Sequence, residues 1–410
     1  MWPLEYKMKT KYWTFYALSL FLLPLISFGQ VNQQLQVDVV YLASDDLEGR
    51  ATGTASEGLA ANYIVSRMRS IGLNPGGSDG WFQSFKVAAN PHQPDSKELN
   101  GRNVIGFLDR HAKTTIVVGA HYDHLGHGNV GSLAPNDHSI HNGADDNASG
   151  VASMLWLAEK VSKNKKLKTN FLFIAFSGEE YGLFGSKGFV EHPTVPLQKI
   201  EAMINMDMVG RLNAERVLAI SGVGTSTAWK PMLEEIRPAD FTFNYTESGV
   251  GPSDHTSFYL KNIPVLHFFT GQHKDYHKPS DDSYLVNYEG IERVSEIIYQ
   301  VLIRLSDNKQ IDFQKTKDEN KEQVADFKVT LGIMPDYVYS GKGLRADAIL
   351  DDRPGKKAGM KDGDVIIRLA DKEVKDIYDY MKILGEHKKG DRVKLVILRA
   401  GQEMLLDVEF

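Results

Sequence analysis

Phe171-Leu172-Phe173-Ile174-Ala175-Phe176-Ser177-Gly178-Glu179-Glu180-Tyr181-Gly182 is the stretch whose reading decides the fold. An unbroken apolar run of this length is short for a helix and has no polar alternation. It therefore reads as a strand buried on both faces, stopped by Ser-Gly and followed by two carboxylates. Working outward, similar runs occupy 104–108, 116–120, 202–208, 217–220 and 264–268, each bounded by turn residues. Between them, helical spacing appears at 150–161, 226–236 and 288–305. An earlier helix lies within 42–73, where Ala60, Ala61, Ile64, Val65 and Met68 share a face and Gly72 closes it. Strands alternating with helices predict an α/β domain: a three-layer, doubly wound mixed sheet with helices on both faces.

In such folds, chemistry gathers where strands end in loops, and five such places carry polar residues. After 116–120 come His121-Tyr122-Asp123-His124, where Asp123 is placed to accept the second ring N–H of His121; a lone structural histidine would look the same. Gly143-Ala144-Asp145-Asp146-Asn147-Ala148-Ser149-Gly150 leads into a helix, so its acids suit either the helix dipole or a pair of cations. Glu179 and Glu180 leave a strand end in different directions, which lets one bind a metal while the other acts as a base. Asp207 interrupts the apolar 202–208 and needs a partner if buried. His277 follows Tyr276, whose O–H is a candidate oxyanion donor. His124, His127, His138 and His141 read as a polar loop near solvent, and Met203, Met206 and Met208 as core or wall.

Taken in order, these motifs resemble the co-catalytic di-zinc aminopeptidase family, which includes bacterial leucyl aminopeptidases, aminopeptidase Y and glutamate carboxypeptidases. The resemblance covers roughly 38–305 and includes Asp46-Leu47-Glu48-Gly49-Arg50 upstream. It implies two zinc ions bridged by Asp145, one completed by His121 and Asp207, the other by Glu180 and His277. It further implies Glu179 as general base, Asp123 as the carboxylate orienting His121, Asp146 as a neighbour supporting the bridge, and Tyr276 as the hydroxyl steadying the tetrahedral intermediate. The expected activity is release of N-terminal residues from peptides. A glutaminyl cyclase on the same fold resembles the chain too but uses one zinc. A glutamate carboxypeptidase would want an arginine cluster that the sequence does not show, and an idle peptide-binding protein would not need Glu179.

Polar residues crowd 306–323, a linker or solvated helix end, and short strand patterns return at 327–333, 364–369 and 392–398 around a helix near 376–385. This part, 324–410, resembles a PDZ domain, small and mostly β. Val329-Thr330-Leu331-Gly332-Ile333-Met334 is similar to a carboxylate-binding loop, and Ala358-Gly359 with Gly363-Asp364 supports the match. It implies a groove for a peptide or a protein C-terminus.

At the other end, Lys7, Lys9 and Lys11 precede an apolar run over 12–28 that closes on Ser27-Phe28-Gly29. That order reads as a signal peptide over 1–29, cleaved near Gly29, with the peptidase-like domain over 30–305 and export to a bacterial periplasm or medium. Pro24 and the shortness of the run argue against a retained membrane span. The 410 residues hold 47 Lys+Arg against 53 Asp+Glu, a formal charge of −6, so no basic field invites nucleic acid. With no cysteine, disulfides, thiolate metal sites and cysteine nucleophiles are excluded, and any metal must sit on His, Asp and Glu.

Overall fold

The computed structural model describes Met1 and residues 32–410, apart from 88–97, 129–130, 135, 308–310, 317–328, 336–338, 340, 350–352 and 376. Apart from Met1, the expected signal peptide thus lies outside the described residues. Among those described, no helix is long and apolar enough to cross a membrane.

Helices α1 (Gln33–Leu42) and α2 (Ala55–Ile71) lead into strands β1 (Asn74–Pro75), β2 (Phe82–Val87), β3 (Leu99–Leu108) and β4 (Thr115–His121). Then follow α3 (Gly150–Lys163), β5 (Asn170–Phe176), α4 (Phe184–Glu191), β6 (Ile200–Met206), β7 (Val217–Ser221), α5 (Trp229–Ile236), β8 (Thr242–Thr246), α6 (His255–Tyr259), β9 (Val265–Phe269) and α7 (Tyr288–Asp307). The strands form one mixed sheet in the order β1-β3-β5-β4-β6-β9-β7-β8, with β2 also on β3. Its centre, β5-β4-β6-β9, is parallel.

The apolar runs are continuous because both faces are covered. Phe171, Phe173 and Ala175 join the core with α1, α2, α3, α5 and α7, whereas Leu172, Ile174 and Phe176 join a second core with Phe189 of α4 and Phe258 and Tyr259 of α6. Burying side chains on both sides stabilises this centre at roughly 25 cal/mol per Å² of apolar surface. Its parallel strands all end at one edge, which fixes where the loops bearing polar residues meet.

Two expectations need adjusting at their ends. Asp207 does not interrupt a strand: β6 stops at Met206, and Met208, at φ 51°, turns the chain away immediately afterwards. The helix expected within 42–73 starts only at Ala55, capped by the Thr54 hydroxyl on the Glu57 N–H and closed by Gly72 at φ 89°. The preceding 45–50 form a tight turn that buries Arg50.

Of the polar segment expected as a linker, 311–316 lies against the α/β domain. Asp312 accepts from Ser226 Oγ (2.7 Å) and the Thr227 N–H, and the Thr316 N–H donates to the Tyr259 hydroxyl (3.0 Å). The C-terminal sheet runs β10 (Ile333–Pro335), β11 (Leu344–Ile349), β12 (Val365–Leu369), β14 (Arg392–Arg399), β15 (Gln402–Glu409), with β13 (Lys372–Glu373) on β12. Helices α8 (Pro354–Lys357) and α9 (Ile377–Gly385) accompany it, and Leu331, Ala346, Ile366, Leu395 and Ile397 form its own core. Of the strand expected at 327–333, residues 327–328 are outside the described set and 329–332 are irregular; pairing begins at Ile333.

Candidate metal centre

Each functional side chain is delivered by the edge where the central parallel strands end. His121 closes β4. Glu179 and Glu180 sit in the turn after β5, Asp207 follows β6, and His277 stands in the loop after β9. Asp145 and Asp146 occupy the tight turn that opens α3.

The two adjacent aspartates divide their labour in the opposite sense to the expectation. Asp145, expected to bridge, is turned away: its carboxylate accepts the Gly210 N–H (2.6 Å), the Ser149 hydroxyl (3.0 Å) and faces His273 Nε2 at 3.1 Å. Asp146 takes the central place. Its Oδ1 lies 3.2 Å from His121 Nε2, and its Oδ2 lies 3.1 Å from His277 Nε2. The physical reason is that Asp145 is already saturated by donors on its own side of the turn, while the chain swings at Asp146 (φ −104°, ψ 90°) and aims the next carboxylate into the cleft. Gly143 makes that swing possible. At φ 54° it sits in the left-handed region, and a Cβ there would overlap the Asp146 carbonyl and the His124 ring.

Around Asp146 two sets of donors converge. His121 Nε2 is also 3.3 Å from Asp207 Oδ1, and His277 Nε2 is 3.1 Å from Glu180 Oε2. Tetrahedral bonds of about 2.0 Å place their ligand atoms roughly 3.3 Å apart, so imidazole and carboxylate donors at these spacings fit Zn²⁺ or a similar ion in each half. Of the expected ligands, His121, Glu180, Asp207 and His277 are therefore brought together, and Asp146 stands where Asp145 was expected.

The electrostatics follow from burial. Burial opposes charge on Asp146, yet the hydrogen bonds from His121 and His277 hold its carboxyl well below the usual range. For Glu180, too, burial raises the pKa, but the nearby His277 and the hydrogen bonds from His124 and His277 bring it down to about 2. Burial would discharge His121, and the surrounding Asp207 and Glu179 charges instead hold its pKa well above the ordinary imidazole value. Glu179 behaves oppositely: burial, reinforced by Asp207 and Glu180, pushes its carboxyl well above the ordinary value, which suits a group that must take up a proton.

Asp123 was expected to grip His121. Its carboxylate Oδ1 stands 3.8 Å from His121 Nδ1, beyond hydrogen-bond reach, and the closer partner of that nitrogen is the Asp123 backbone carbonyl at 3.2 Å. The carboxylate is engaged elsewhere, by the Thr52 hydroxyl (2.8 Å) and the Glu179 N–H (3.2 Å). It thus ties down the backbone of Glu179. Burial pushes the Asp123 carboxyl up to about 6. Tyr276 is half-buried and stacks on His277 with ring centroids 3.9 Å apart.

Several contributors escaped the sequence reading. His124 is not at a wet loop but fully buried, its Nδ1 2.9 Å from Glu180 Oε1, and burial lowers its pKa. His141 is buried too, against Ser132, while His127 and His138 are exposed as expected. Asp281 accepts the N–H groups of both Asp145 and Asp146 at 3.0 Å and so clamps the turn. Arg50, wholly buried, donates to the carbonyls of Tyr122 (2.7 Å), Leu42 (3.0 Å), Gly143 (2.7 Å) and Asn142, joining the segment after β4 to the aspartate turn. Burial lowers its pKa to about 10. The Asp46–Arg50 motif was the only signal for it. Glu57 accepts from the Gly53 N–H (2.7 Å), the Tyr122 hydroxyl (3.1 Å) and the Ser177 hydroxyl, and burial pushes its carboxyl up to about 7. His255 is stacked on His267 with ring centroids 4.5 Å apart.

Residues 103–302 match the model of Peptidase family M28, and 302–410 match that of a PDZ domain. The chain carries a Peptidase family M28 domain. The chain is 28% identical over 196 residues to the alkaline phosphatase isozyme conversion protein of Escherichia coli, covering 46% of this chain and 54% of the relative. It is 30% identical over 166 residues to aminopeptidase YwaD of Bacillus subtilis, covering 38% and 36%. It therefore spans about half or less of these relatives' length. Among solved structures, a Zn-dependent exopeptidase from Parabacteroides distasonis (17% identity) and the glutaminyl cyclase of Porphyromonas gingivalis (21%) each superpose with a TM-score of 0.55, over 67% of this chain and 98% of theirs. At those identities they establish that the M28 domain has the zinc exopeptidase-like three-layer fold, and nothing more.

Proposed function

We propose that this protein is an exported zinc-dependent exopeptidase, an aminopeptidase that removes N-terminal residues from peptides, with the M28 domain over 30–305, a linker over 306–323 and a PDZ-like domain over 324–410. The observation that carries this reading is the disposition of Asp146, whose two oxygens face two separate His/carboxylate sets, His121 with Asp207 and His277 with Glu180. Bound there, two zinc ions would activate a water and polarise a carbonyl. Aminopeptidase YwaD and the Parabacteroides exopeptidase, by their names, point the same way.

The chain's own residues supply the remaining steps. Glu179, half-buried and with its carboxyl pushed upward, takes a proton from the attacking water and delivers it to the departing amine nitrogen. Asp123 holds the Glu179 backbone so that this carboxylate keeps its aim. Tyr276, stacked beside His277, offers its O–H to the developing oxyanion. The concentration of carboxylates around the cleft favours a substrate carrying a free ammonium group, as an unblocked N-terminus does.

Export rests on the basic, apolar and small-residue order of 1–29. The PDZ-like domain would take a peptide or protein C-terminus along β10, which among the described strands pairs only with β11.

Metal analysis of the purified mature protein, together with hydrolysis of aminoacyl and N-blocked peptides, tests the reading. About two zinc per chain and cleavage confined to free-amine substrates are expected. One zinc with cyclisation of N-terminal glutamine would put a glutaminyl cyclase in its place, and metal without turnover would put a peptide-binding protein there.

A further inference from the structure

We propose that His124 is a positioning residue for the half of the cradle that holds Glu180, dividing that carboxylate so that only one oxygen faces the metal position. The proposal rests on the two-zinc reading above. Glu180 has two oxygens with different surroundings: Oε2 lies 3.1 Å from His277 Nε2, on the side shared with Asp146, while Oε1 lies 2.9 Å from His124 Nδ1. An ionised carboxylate only accepts hydrogen bonds, so the imidazole proton stands on Nδ1. His124 Nε2 makes no hydrogen bond, which leaves that tautomer without a rival partner.

The ring is itself held. It is fully buried, meets His277 edge-on at 5.7 Å, and fills space that a Cβ at Gly143 would occupy; its backbone N–H reaches the Arg50 carbonyl at 3.4 Å. His124 Nδ1 is 3.8 Å from Asp146 Oδ2, too far for a hydrogen bond to the bridging carboxylate, so its grip is on Glu180 alone. Donors of this kind, one step removed from a metal, fix a ligand's orientation and typically account for 10- to 100-fold in metal affinity. The His121 half has no contact with this ring among the described hydrogen bonds.

The test is zinc binding to the whole chain by competition with a chelator, on the native protein and on His124→Phe and His124→Asn. The amide nitrogen of asparagine can stand where Nδ1 stands; phenylalanine has no donor. Expected is a roughly 10- to 100-fold weakening of one of the two zinc sites in H124F with the other unchanged, and recovery to within about threefold in H124N. Thermal unfolding of the metal-free proteins identifies a folding defect, and His124→Leu, also without a donor, replaces H124F should that variant not fold. Two zinc ions bound with native affinity in the donor-less variant would overturn the proposal. So would equal weakening in H124F and H124N, which would make the ring a ligand. A native protein that takes up fewer than two zinc ions defeats the two-zinc reading itself, a result visible before any variant is made.

Discussion

The two halves of the cradle are built by different means. His121 is the last residue of β4 and Asp207 follows β6 with its N–H still donating to the Phe268 carbonyl at 3.2 Å, so the sheet's own ladder sets that half. Glu180 and His277 stand on loops, and His277 has φ 53°. Their aim comes from side-chain and backbone donors and acceptors: His124 on Glu180, the Gly131 carbonyl 2.8 Å from His277 Nδ1, and the Arg211–Asp275 pair at 2.7 Å bracing the loop. The strand-borne half inherits rigidity from a core of fully buried side chains, while the loop-borne half depends on a few polar contacts, each replaceable by a single substitution. A metal on the loop side should therefore be the easier one to lose.

The largest effect should come where the halves join. Asp146→Asn should lower kcat/KM by on the order of 10³-fold, about 4 kcal/mol of transition-state stabilisation, and weaken both zinc sites together, because both carboxylate oxygens are in use. Asp145→Asn, acting only through the turn's hydrogen bonds, should cost about tenfold. Kinetics and zinc content measured side by side decide the matter, and the reverse ranking would restore Asp145 as the bridge.

Glu179 belongs to neither half. Its replacement by glutamine should reduce kcat by roughly 10²- to 10⁴-fold while both zinc ions remain bound. Unchanged turnover in that variant would remove it as the base, and lost zinc would place it among the ligands.

The smallest effect sharpens the account of the strand-borne half, behind which Glu57 binds Gly53, Tyr122 and Ser177. Burial raises this acid from an ordinary 4.5 to about 7 in the folded chain, so the folded state keeps a proton that the unfolded state gives up. Stability from this group is full below pH 4.5, falls as pH rises towards 7 and is level above, a difference of at most about 3 kcal/mol. Glu57→Gln cannot titrate. Unfolding midpoints of the native and E57Q proteins between pH 5 and 8 should diverge, with the native protein losing ground to the variant as pH rises; parallel curves would show that Glu57 does not carry the expected proton.

How much of this was legible beforehand depended on distance along the chain. The apolar runs at 116–120 and 171–176 read as strands covered on both faces, and the structure pairs them in a parallel centre with its loops at one edge. The polar residues after each run were likewise visible, because a strand end and the residue next to it are neighbours in sequence. The choice between Asp145 and Asp146 was not visible: two identical side chains in one turn are told apart only by what waits on either side, and the Gly210 N–H and His273 arrive from 65 and 128 residues away. Asp123 failed for the same reason, its carboxylate claimed by Thr52 from 71 residues upstream. His124 read as a loop residue because its local sequence is polar, and only the packing of Gly143 and His277 around it makes it buried. The sequence by itself determined which strands are buried and which chemical groups stand at their ends, since hydrophobic burial and residue type are local quantities. Only the tertiary structure decided which oxygen faces which nitrogen, because a carboxylate's direction is set by donors and acceptors that the chain brings together after folding.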